Sequence, residues 1–337
     1  MTRLNVAIVG CGDISGRHVA AYRHHAERAR VAACCDTVRA RAEQAAAQAG
    51  EDAPEIFTDY AALLADPAIE AVDLCLPHHL HAEATVAAAR AGKQILCEKP
   101  LAITTEECDR MIAAARTAGV ILMHGEPMRT AANVEKAAEL VRAGSIGKLV
   151  GLQATFTYWQ RAELNTEWRG RHAQSGGGHL MDGGIHILDV LRQIGGEVRG
   201  VQAMTAAYRP ELGADSEDLA SLNLRYVEGH YGQLFSCHAT RGRGASPLLT
   251  VFGMEGCLSL DASGKGLGLV RFLPEQEPEV VVGTHSWNAG YERLIGHFLE
   301  VVQEGVPLRA TPEDGRENVR LVLAAYESAR TGCEVAL

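Results

Sequence analysis

The sequence contains no long apolar run and no Cys-x-x-Cys pair. Without an unbroken stretch of about 20 apolar residues, a bilayer-spanning helix is excluded. Met1–Asn5 lead at once into a short apolar strand and then into Gly10-Cys11-Gly12-Asp13. A secretory signal needs a longer apolar core and a small-residue cleavage site, so none is expected. Nine cysteines are scattered at 11, 34, 35, 75, 97, 108, 237, 257 and 333. An odd number at irregular intervals suits neither a zinc knuckle nor a disulfide framework. Reduced, mostly buried thiols in a cytoplasmic protein are expected.

A concentrated basic surface is missing too. The formal charge is -10, whereas a nucleic-acid partner requires a basic face. The densest basic stretch, Arg161, Arg169 and Arg171 with His172, is broken by Glu163 and Glu167. It suits one anionic group and no duplex. What remains is an ordinary globular composition, 47% hydrophobic and 22% charged over 337 residues. That is enough for the cores of two domains and argues against disorder.

The first third alternates short apolar strands with Ala-rich helices. Strands are expected at 5–9, 31–35, 71–76, 94–97 and 120–123, and helices near 18–24, 39–49, 59–65, 81–91 and 105–118. Such alternation implies a parallel sheet covered by helices on both faces. Thr104 followed by Glu107 forms a capping box at the start of the last helix. The first strand runs into Gly10-Cys11-Gly12-Asp13-Ile14-Ser15-Gly16. Glycines at 10 and 12 permit a tight turn and close approach of a pyrophosphate, which the next helix meets with its unpaired N–H groups. Ser15 stands at the third position of the fingerprint, small enough for close helix packing. A lone G-x-G-x-x-G is a weak signal, but here it lies between a strand and a helix as the motif demands. Asp36, at the end of the second strand, is placed to take the adenosine ribose hydroxyls and to repel a 2′-phosphate. NAD is therefore favoured, with NADP left open by the nearby Arg39 and Arg41.

Cys97-Glu98-Lys99-Pro100 ends another strand, and Asp182-Gly183-Gly184-Ile185-His186 follows later. With Leu76-Pro77-His78-His79-Leu80-His81, Trp168-Arg169 and the closing Ala324–Arg330 segment, the chain resembles the glucose–fructose oxidoreductase / inositol dehydrogenase / rhizopine-catabolism family. The likeness covers most of the chain. It implies an N-terminal Rossmann domain over residues 1–123. It also implies a C-terminal α/β domain over 124–337, built on a large, mostly antiparallel sheet. It further implies Lys99, Asp182 and His186 as the catalytic group, with Glu98 near the nicotinamide ribose. Glu126-Pro127-Met128-Arg129 departs from the family's Glu-Asn-x-Arg, which puts a contact at the missing amide in doubt.

The residues support this reading on chemical grounds. Lys99 follows a parallel strand at its carboxyl end, where open sheets place ligands, and an ammonium there stabilises a developing alkoxide. A turn lysine is otherwise ordinary surface. A helix is expected from the Gly176–Gly178 turn to about Ile194, with Asp182, His186, Asp189 and Gln193 in one stripe. An imidazole titrates near pH ~6.5, which suits a base for an alcohol proton, and a carboxylate can orient it. The plain alternative is the wet face of an amphipathic helix. His78, His79 and His81 lack supporting carboxylates or cysteines, so no metal is expected and cofactor-loop contacts are preferred. The expected cofactor contacts are Gly10, Gly12, Asp13, Ile14, Ser15, Asp36, Leu76, Pro77, His78, His81, Glu98 and Lys99. Expected substrate contacts are Arg129, Trp168, Arg169, His172 and His186, with domain packing as the alternative for Trp168, Arg169 and His172.

Beyond residue 149, long strands at 149–159, 198–208, 219–226, 231–238 and 248–252 follow with few helices, which indicates an antiparallel sheet. Helices at 291–304 and 312–329 are expected to cover one face. In the family the other face makes a dimer or tetramer, so a homo-oligomer is expected. The function expected is hydride transfer between a nicotinamide and a hydroxyl or keto carbon of a sugar or inositol-like polyol. Two other functions use the same motifs. An NAD-dependent glycosidase would cleave sugar with no net NADH, and a non-catalytic NAD-sensing regulator would need only the glycines and Asp36.

Overall fold

The structure is a computed structural model, and it describes residues 3–50, 53–161, 168–212, 216–241, 248–261 and 267–337. The chain separates into two compact units, Met1–Thr130 with Asn288–Glu317, and Ala131–Trp287 with Asn318–Leu337. This differs from the expected single break at 123/124. The reason is a helix that returns to the first unit.

In the first unit six strands form a sheet: β1 (Leu4–Val9), β2 (Ala29–Cys35), β3 (Glu55–Phe57), β4 (Ala71–Leu74), β5 (Gln94–Glu98) and β6 (Leu122–Gly125). All neighbours pair in parallel, in the order β3-β2-β1-β4-β5-β6. The connecting helices are α1 (Ser15–His24), α2 (Arg39–Gln48), α3 (Tyr60–Ala65), α4 (His81–Arg90) and α5 (Thr105–Ala118). The three-residue β3 was not expected, because its Glu-Ile-Phe is too short for a period to show. Burial of Val6, Ala7, Ile8 and Val9 on both faces of β1 explains its unbroken apolar run. The strand order reverses between β1 and β4, the position at which open sheets bind ligands beyond their carboxyl ends.

α5 is capped as expected on one side only. Thr104 Oγ1 accepts the Glu107 N–H at 3.2 Å, but Glu107 Oε2 accepts from Ile103 rather than from Thr104. Gly119, in the left-handed region at φ 68°, ends the helix.

The second unit begins with α6 (Ala132–Arg142) and contains β7 (Leu149–Thr157), α7 (His172–Ser175) and α8 (Ile185–Gly195). β8 (Val198–Ala206), β9 (Leu219–Tyr226), β10 (Tyr231–Cys237), β11 (Leu249–Gly253), β12 (Cys257–Asp261), β13 (Leu267–Phe272) and β14 (Glu279–His285) follow. α9 (Trp287–Glu304), α10 (Pro312–Thr331) and β15 (Val335–Ala336) complete the chain. Nine strands form one sheet in the order β14-β13-β12-β11-β7-β10-β9-β8-β15. Its pairs are antiparallel except β7 with β10, which run parallel. β12, β13, β14 and β15 were not expected. The apolar alternation around β12–β14 is interrupted by Gly264, Gly266 and Gly268 and by Pro274 and Pro278. β15 has only two residues, too few for a period to show.

α8 packs on β7 and β10, and α6 packs on α8 and on β12–β14. α9, expected to cover this sheet, packs in the first unit. Its Tyr291, Leu294, Ile295, Phe298 and Leu299 join Val6, Ile8, Val19 and Val31 in the core of the first unit. The uncovered face alternates with the core along β10, where Tyr231, Gln233 and Phe235 are exposed and Gly232 and Leu234 are buried. Met204, Phe252 and Val280 are exposed as well. Among the described residues no helix is long and apolar enough to cross a membrane.

Candidate functional site

The Gly-rich turn is built by contacts its sequence announces. Gly10 sits at φ +87°, and a Cβ there would stand 2.6 Å from the Cys75 carbonyl oxygen beyond β4. Only glycine lets β1 leave the sheet so close to its neighbour. A Cβ on Gly12, by contrast, would meet nothing within 4 Å. Ser15 is buried, and its hydroxyl donates to the Gly12 carbonyl at 2.6 Å, closing the turn. Ile14, half-buried, precedes α1 without any side-chain cap, so the helix offers its amino end to a ligand. Asp13 is exposed beside it. Asp36 accepts the Cys11 N–H on Oδ2 at 2.9 Å and the Val38 N–H on Oδ1 at 2.8 Å. Each carboxylate oxygen keeps a second lone pair, so the residue shapes the turn and can still accept ribose hydroxyls. These features fit a dinucleotide: open space over Gly12, an uncapped helix start and a half-buried carboxylate at the second strand.

Leu76 and Pro77 are part-exposed in the loop after β4. The expected cofactor contacts His78 and His81 lie inside the fold. Both are buried, with ring centres 6.0 Å apart, and His81 is wholly enclosed. Its Nδ1 lies 2.8 Å from the Pro100 carbonyl and its Nε2 2.8 Å from that of Leu76. An enclosed ring has no surface for a dinucleotide; His81 instead ties the Leu76–Pro77 loop to the turn after β5. Burial pushes its pKa down to about 4, with His78 pushing the same way and the two carbonyls opposing. No carboxylate bonds to this ring, so burial prevails and the neutral imidazole donates to one carbonyl only.

β5 delivers Glu98 and Lys99. Glu98 is buried, and its Oε2 accepts the Lys99 backbone N–H at 3.0 Å. Lys99 itself is half-buried at the carboxyl end of the sheet. Arg129, expected to touch substrate, is buried and pairs through Nη1 with Asp314 Oδ2 at 2.9 Å. Asp314 also accepts from Thr311 N and Oγ1 at the start of α10. The guanidinium therefore secures that helix start, and the loss of the family's amide near it leaves the pair intact.

In the second unit, Leu180–Gly184 forms a π-helical turn that runs into α8. Such widened turns recur at functional sites. Asp182 lies in the turn and His186 in the first turn of α8, both half-buried. Asp189, expected on the same wet stripe, is fully buried and accepts from Asn318 Nδ2 at 2.6 Å. Arg169 Nε donates to Asp182 Oδ2 at 3.3 Å, and its guanidinium lies 4.4 Å from the Trp168 ring centre. The structure thus gathers Trp168, Arg169 and Asp182. His172 is exposed, with its ring 6.5 Å from that of Tyr326.

Residues 4–126 match the model of the "Oxidoreductase family, NAD-binding Rossmann fold", and residues 134–259 match the "GFO/IDH/MocA C-terminal domain". The 1,5-anhydro-D-fructose reductase of Ensifer adhaerens is 30% identical over 295 residues, 86% of this chain and 87% of its own. The chain belongs to the GFO/IDH/MocA oxidoreductase family. The levoglucosan dehydrogenase of Pseudarthrobacter phenanthrenivorans is 28% identical over 304 residues, 82% of this chain and 78% of the relative. The aldose-aldose oxidoreductase from Caulobacter crescentus, solved in complex with glycerol, shares the fold at TM-score 0.87 and 27% identity over 100% of both chains. Like the rest of the family, the protein carries an NAD-binding Rossmann domain.

For this GFO/IDH/MocA chain, the structure adds residues the motifs did not point to. His179 Nε2 lies 2.7 Å from Ser236 Oγ, and its ring is 4.6 Å from His238 and 5.4 Å from Tyr158. Burial pushes the His238 pKa down to about 4, while Asp218 and then Asp182 pull it upward. Burial likewise raises the Tyr158 phenol, with Asp182 adding to the rise. Both act at the Asp182 end of the unit. Their signal was the strand ends at 158 and 238, hidden because the parallel pairing of β7 and β10 was not foreseen. Glu217 was missed as well. Its carboxylate accepts the Gly178 and Leu180 N–H groups at 2.9 and 2.7 Å and the Tyr326 hydroxyl at 3.0 Å, anchoring the start of the π turn.

Proposed function

We propose that the protein is an NAD-dependent dehydrogenase or reductase acting on a hydroxyl or keto carbon of a sugar, sugar derivative or inositol-like polyol. The observation that carries this reading is Lys99. It stands half-buried at the carboxyl end of β5, and its main chain is fixed by a buried Glu98 carboxylate. Relatives named for anhydrosugars and aldoses supply the substrate class.

Bound NAD supplies a ring that accepts or returns hydride. The chain's own residues do the rest. Gly10, Gly12 and the uncapped start of α1 receive the pyrophosphate, and Asp36 takes the adenosine ribose. Arg39, which with Arg41 could receive a 2′-phosphate, is ion-paired with Glu43 at 2.8 Å on the surface, and the Asp36 carboxylate supports NAD over NADP. Lys99 donates to the substrate oxygen and stabilises it as negative charge grows. His186 holds or releases the hydroxyl proton, and Asp182 orients the polar groups around the reacting carbon. Trp168 and Arg169 offer an aromatic face and a planar fork to sugar hydroxyls.

The exposed Tyr231, Phe235, Phe252 and Met204 on the uncovered sheet face support assembly as a homo-oligomer. Unpaired cysteines, seven of nine of them buried, support a reducing, cytoplasmic setting.

The test is a panel of aldoses, anhydrosugars, acidic sugars and inositols with NAD and NADP, read at the nicotinamide absorbance. Redox turnover of a member of this panel is expected, faster with NAD. Sugar breakdown without NADH would shift the reading to a glycosidase; tight NAD binding with no turnover would shift it to a sensor.

A further inference from the structure

A buried ionic cluster in the first unit has no role in the reading above. His18, in α1, is fully enclosed. Its Nδ1 lies 2.8 Å from Asp73 Oδ2 on β4, and its Nε2 lies 3.0 Å from Glu98 Oε1 at the end of β5. The second Glu98 oxygen accepts the Lys99 backbone N–H. One imidazole therefore links the helix behind the Gly-rich turn, the strand at the sheet's reversal point and the main chain of Lys99.

The chemistry of the partners decides the state of the ring. An ionised carboxylate only accepts hydrogen bonds, and a neutral imidazole has a single N–H. A neutral ring would satisfy one carboxylate and turn a lone pair on the other. Both contacts become hydrogen bonds when both nitrogens carry protons, and such charge-assisted bonds are the strong ones. Burial by itself would lower the His18 pKa, but the charge of Asp73, then Cys75, with a hydrogen bond from each, outweigh it and hold the imidazole well above its ordinary value. The other groups facing the ring are consistent with this. Cys75 follows the end of β4, and Tyr291 comes from α9 with its ring edge-on at 5.3 Å; Tyr22, one turn further along α1, faces Asp73. Arg17 stands 5.6 Å from the Tyr291 ring centre, and Glu126 is felt at Tyr291 from the far end of β6. His18 thus differs from His81, whose partners are carbonyl dipoles without net charge.

A metal centre is the competing explanation, since His18, Asp73 and Cys75 bring ligand atoms within 4.8 Å of one another. A ring nitrogen 2.8 Å from a carboxylate oxygen is at hydrogen-bond distance.

We propose that His18 is a positioning residue for the reaction, a buried imidazolium that joins Asp73 to Glu98 and thereby fixes the main chain of Lys99. The catalytic consequence rests on the role given to Lys99 above; the charge on His18 does not. Without the cation, Asp73 and Glu98 would share an apolar site as like charges, and one of them would take up a proton. A protonated Glu98 is a weaker acceptor for Lys99 N–H, so the turn loosens.

The test uses the NAD-saturated protein with ¹⁵N-labelled histidine rings. His18 signals, identified by their loss in His18→Gln, should keep the doubly protonated pattern from about pH 6 to pH 9. Asp73→Asn, which leaves Glu98 beside the ring, should bring the titration of His18 down into the accessible pH range. Its kcat should fall about tenfold or more at high pH and recover as the pH drops and the ring regains its proton, with KM for NAD changed less than about threefold. A neutral-tautomer pattern in the wild type at neutral pH overturns the proposal. So does an Asp73→Asn deficit that is the same at every pH, which marks a purely structural role. Stoichiometric divalent metal lost in His18→Gln also overturns it, in favour of a metal centre. Should the variants fail to fold, through-bond assignment of the wild-type ring signals identifies His18, and its pattern alone decides the charge. If His18 is an imidazolium but Lys99→Ala keeps full turnover, the reading of Lys99 fails and the charged bridge stands.

Discussion

Arg169 holds the Asp182 carboxylate at 3.3 Å while its own guanidinium lies against Trp168, 4.4 Å from the ring centre. A planar, stacked fork fixes the carboxylate in direction as well as distance, which an ammonium on a flexible stem does not. Arg169→Lys should therefore raise KM for substrate about tenfold while KM for NAD changes little, because charge is kept and orientation is lost. Steady-state kinetics with each substrate varied in turn check this. An unchanged substrate KM would leave Trp168 and Arg169 as packing residues.

Gly10 and Gly12 should separate stability from binding. Gly10→Ala forces a side chain into the left-handed region and against the Cys75 carbonyl, at a cost of about 2 kcal/mol or more. Gly12→Ala meets nothing within 4 Å, so folding should be unchanged within about 0.5–1 kcal/mol. Yet its methyl group occupies the place where a pyrophosphate would approach. Urea unfolding together with NAD titration distinguishes the two: the first variant loses stability, the second loses NAD affinity.

Asp36→Ala removes the acceptor of two backbone N–H groups and the negative charge beside the turn. Losing charged hydrogen bonds of this kind costs about 1.5–3 kcal/mol, roughly 10- to 100-fold. NAD efficiency should fall by that order and NADP efficiency by less. The ratio of kcat/KM for the two cofactors is the measurement; a ratio that does not move removes Asp36 from cofactor selection.

Two histidines should make stability rise with pH below neutrality. His81 and His238 are held down to about 4, both chiefly by burial. Unfolded, they bind protons near pH ~6.5. Between these values the unfolded chain binds more protons, so unfolding free energy increases as pH rises from about 4 to 6.5, by up to about 1.4 kcal/mol per pH unit for each ring. Urea midpoints across this window should show the slope, and His81→Gln should flatten it. An unaltered slope in that variant would mean that His81 is charged in the fold.

What the sequence showed was whatever is encoded locally. The strand entering Gly10, the Asp36 register, the Thr104 cap and the Glu98–Lys99 strand end each lie within a few residues of the feature that reveals them. What it hid depends on partners far along the chain. Arg129 pairs with Asp314, and His81 is enclosed by the Leu76 and Pro100 carbonyls, partners that no local pattern announces. Asp189 has the spacing of a wet stripe, but α8 is buried nearly all round and Asn318 meets the carboxylate there. α9 has an apolar stripe that suits either sheet, and periodicity does not name its target. Parallel pairing of β7 with β10, which brings Tyr158 next to His238, has no local signature.

The most direct test of the account is the hydride step in Lys99→Ala, followed as a single turnover with NAD and whichever sugar or polyol the wild type oxidises fastest. The account predicts NAD binding close to wild type and a hydride rate reduced by at least about 100-fold, about 2.7 kcal/mol of lost transition-state stabilisation. A rate within about tenfold of wild type, about 1.4 kcal/mol, would contradict it.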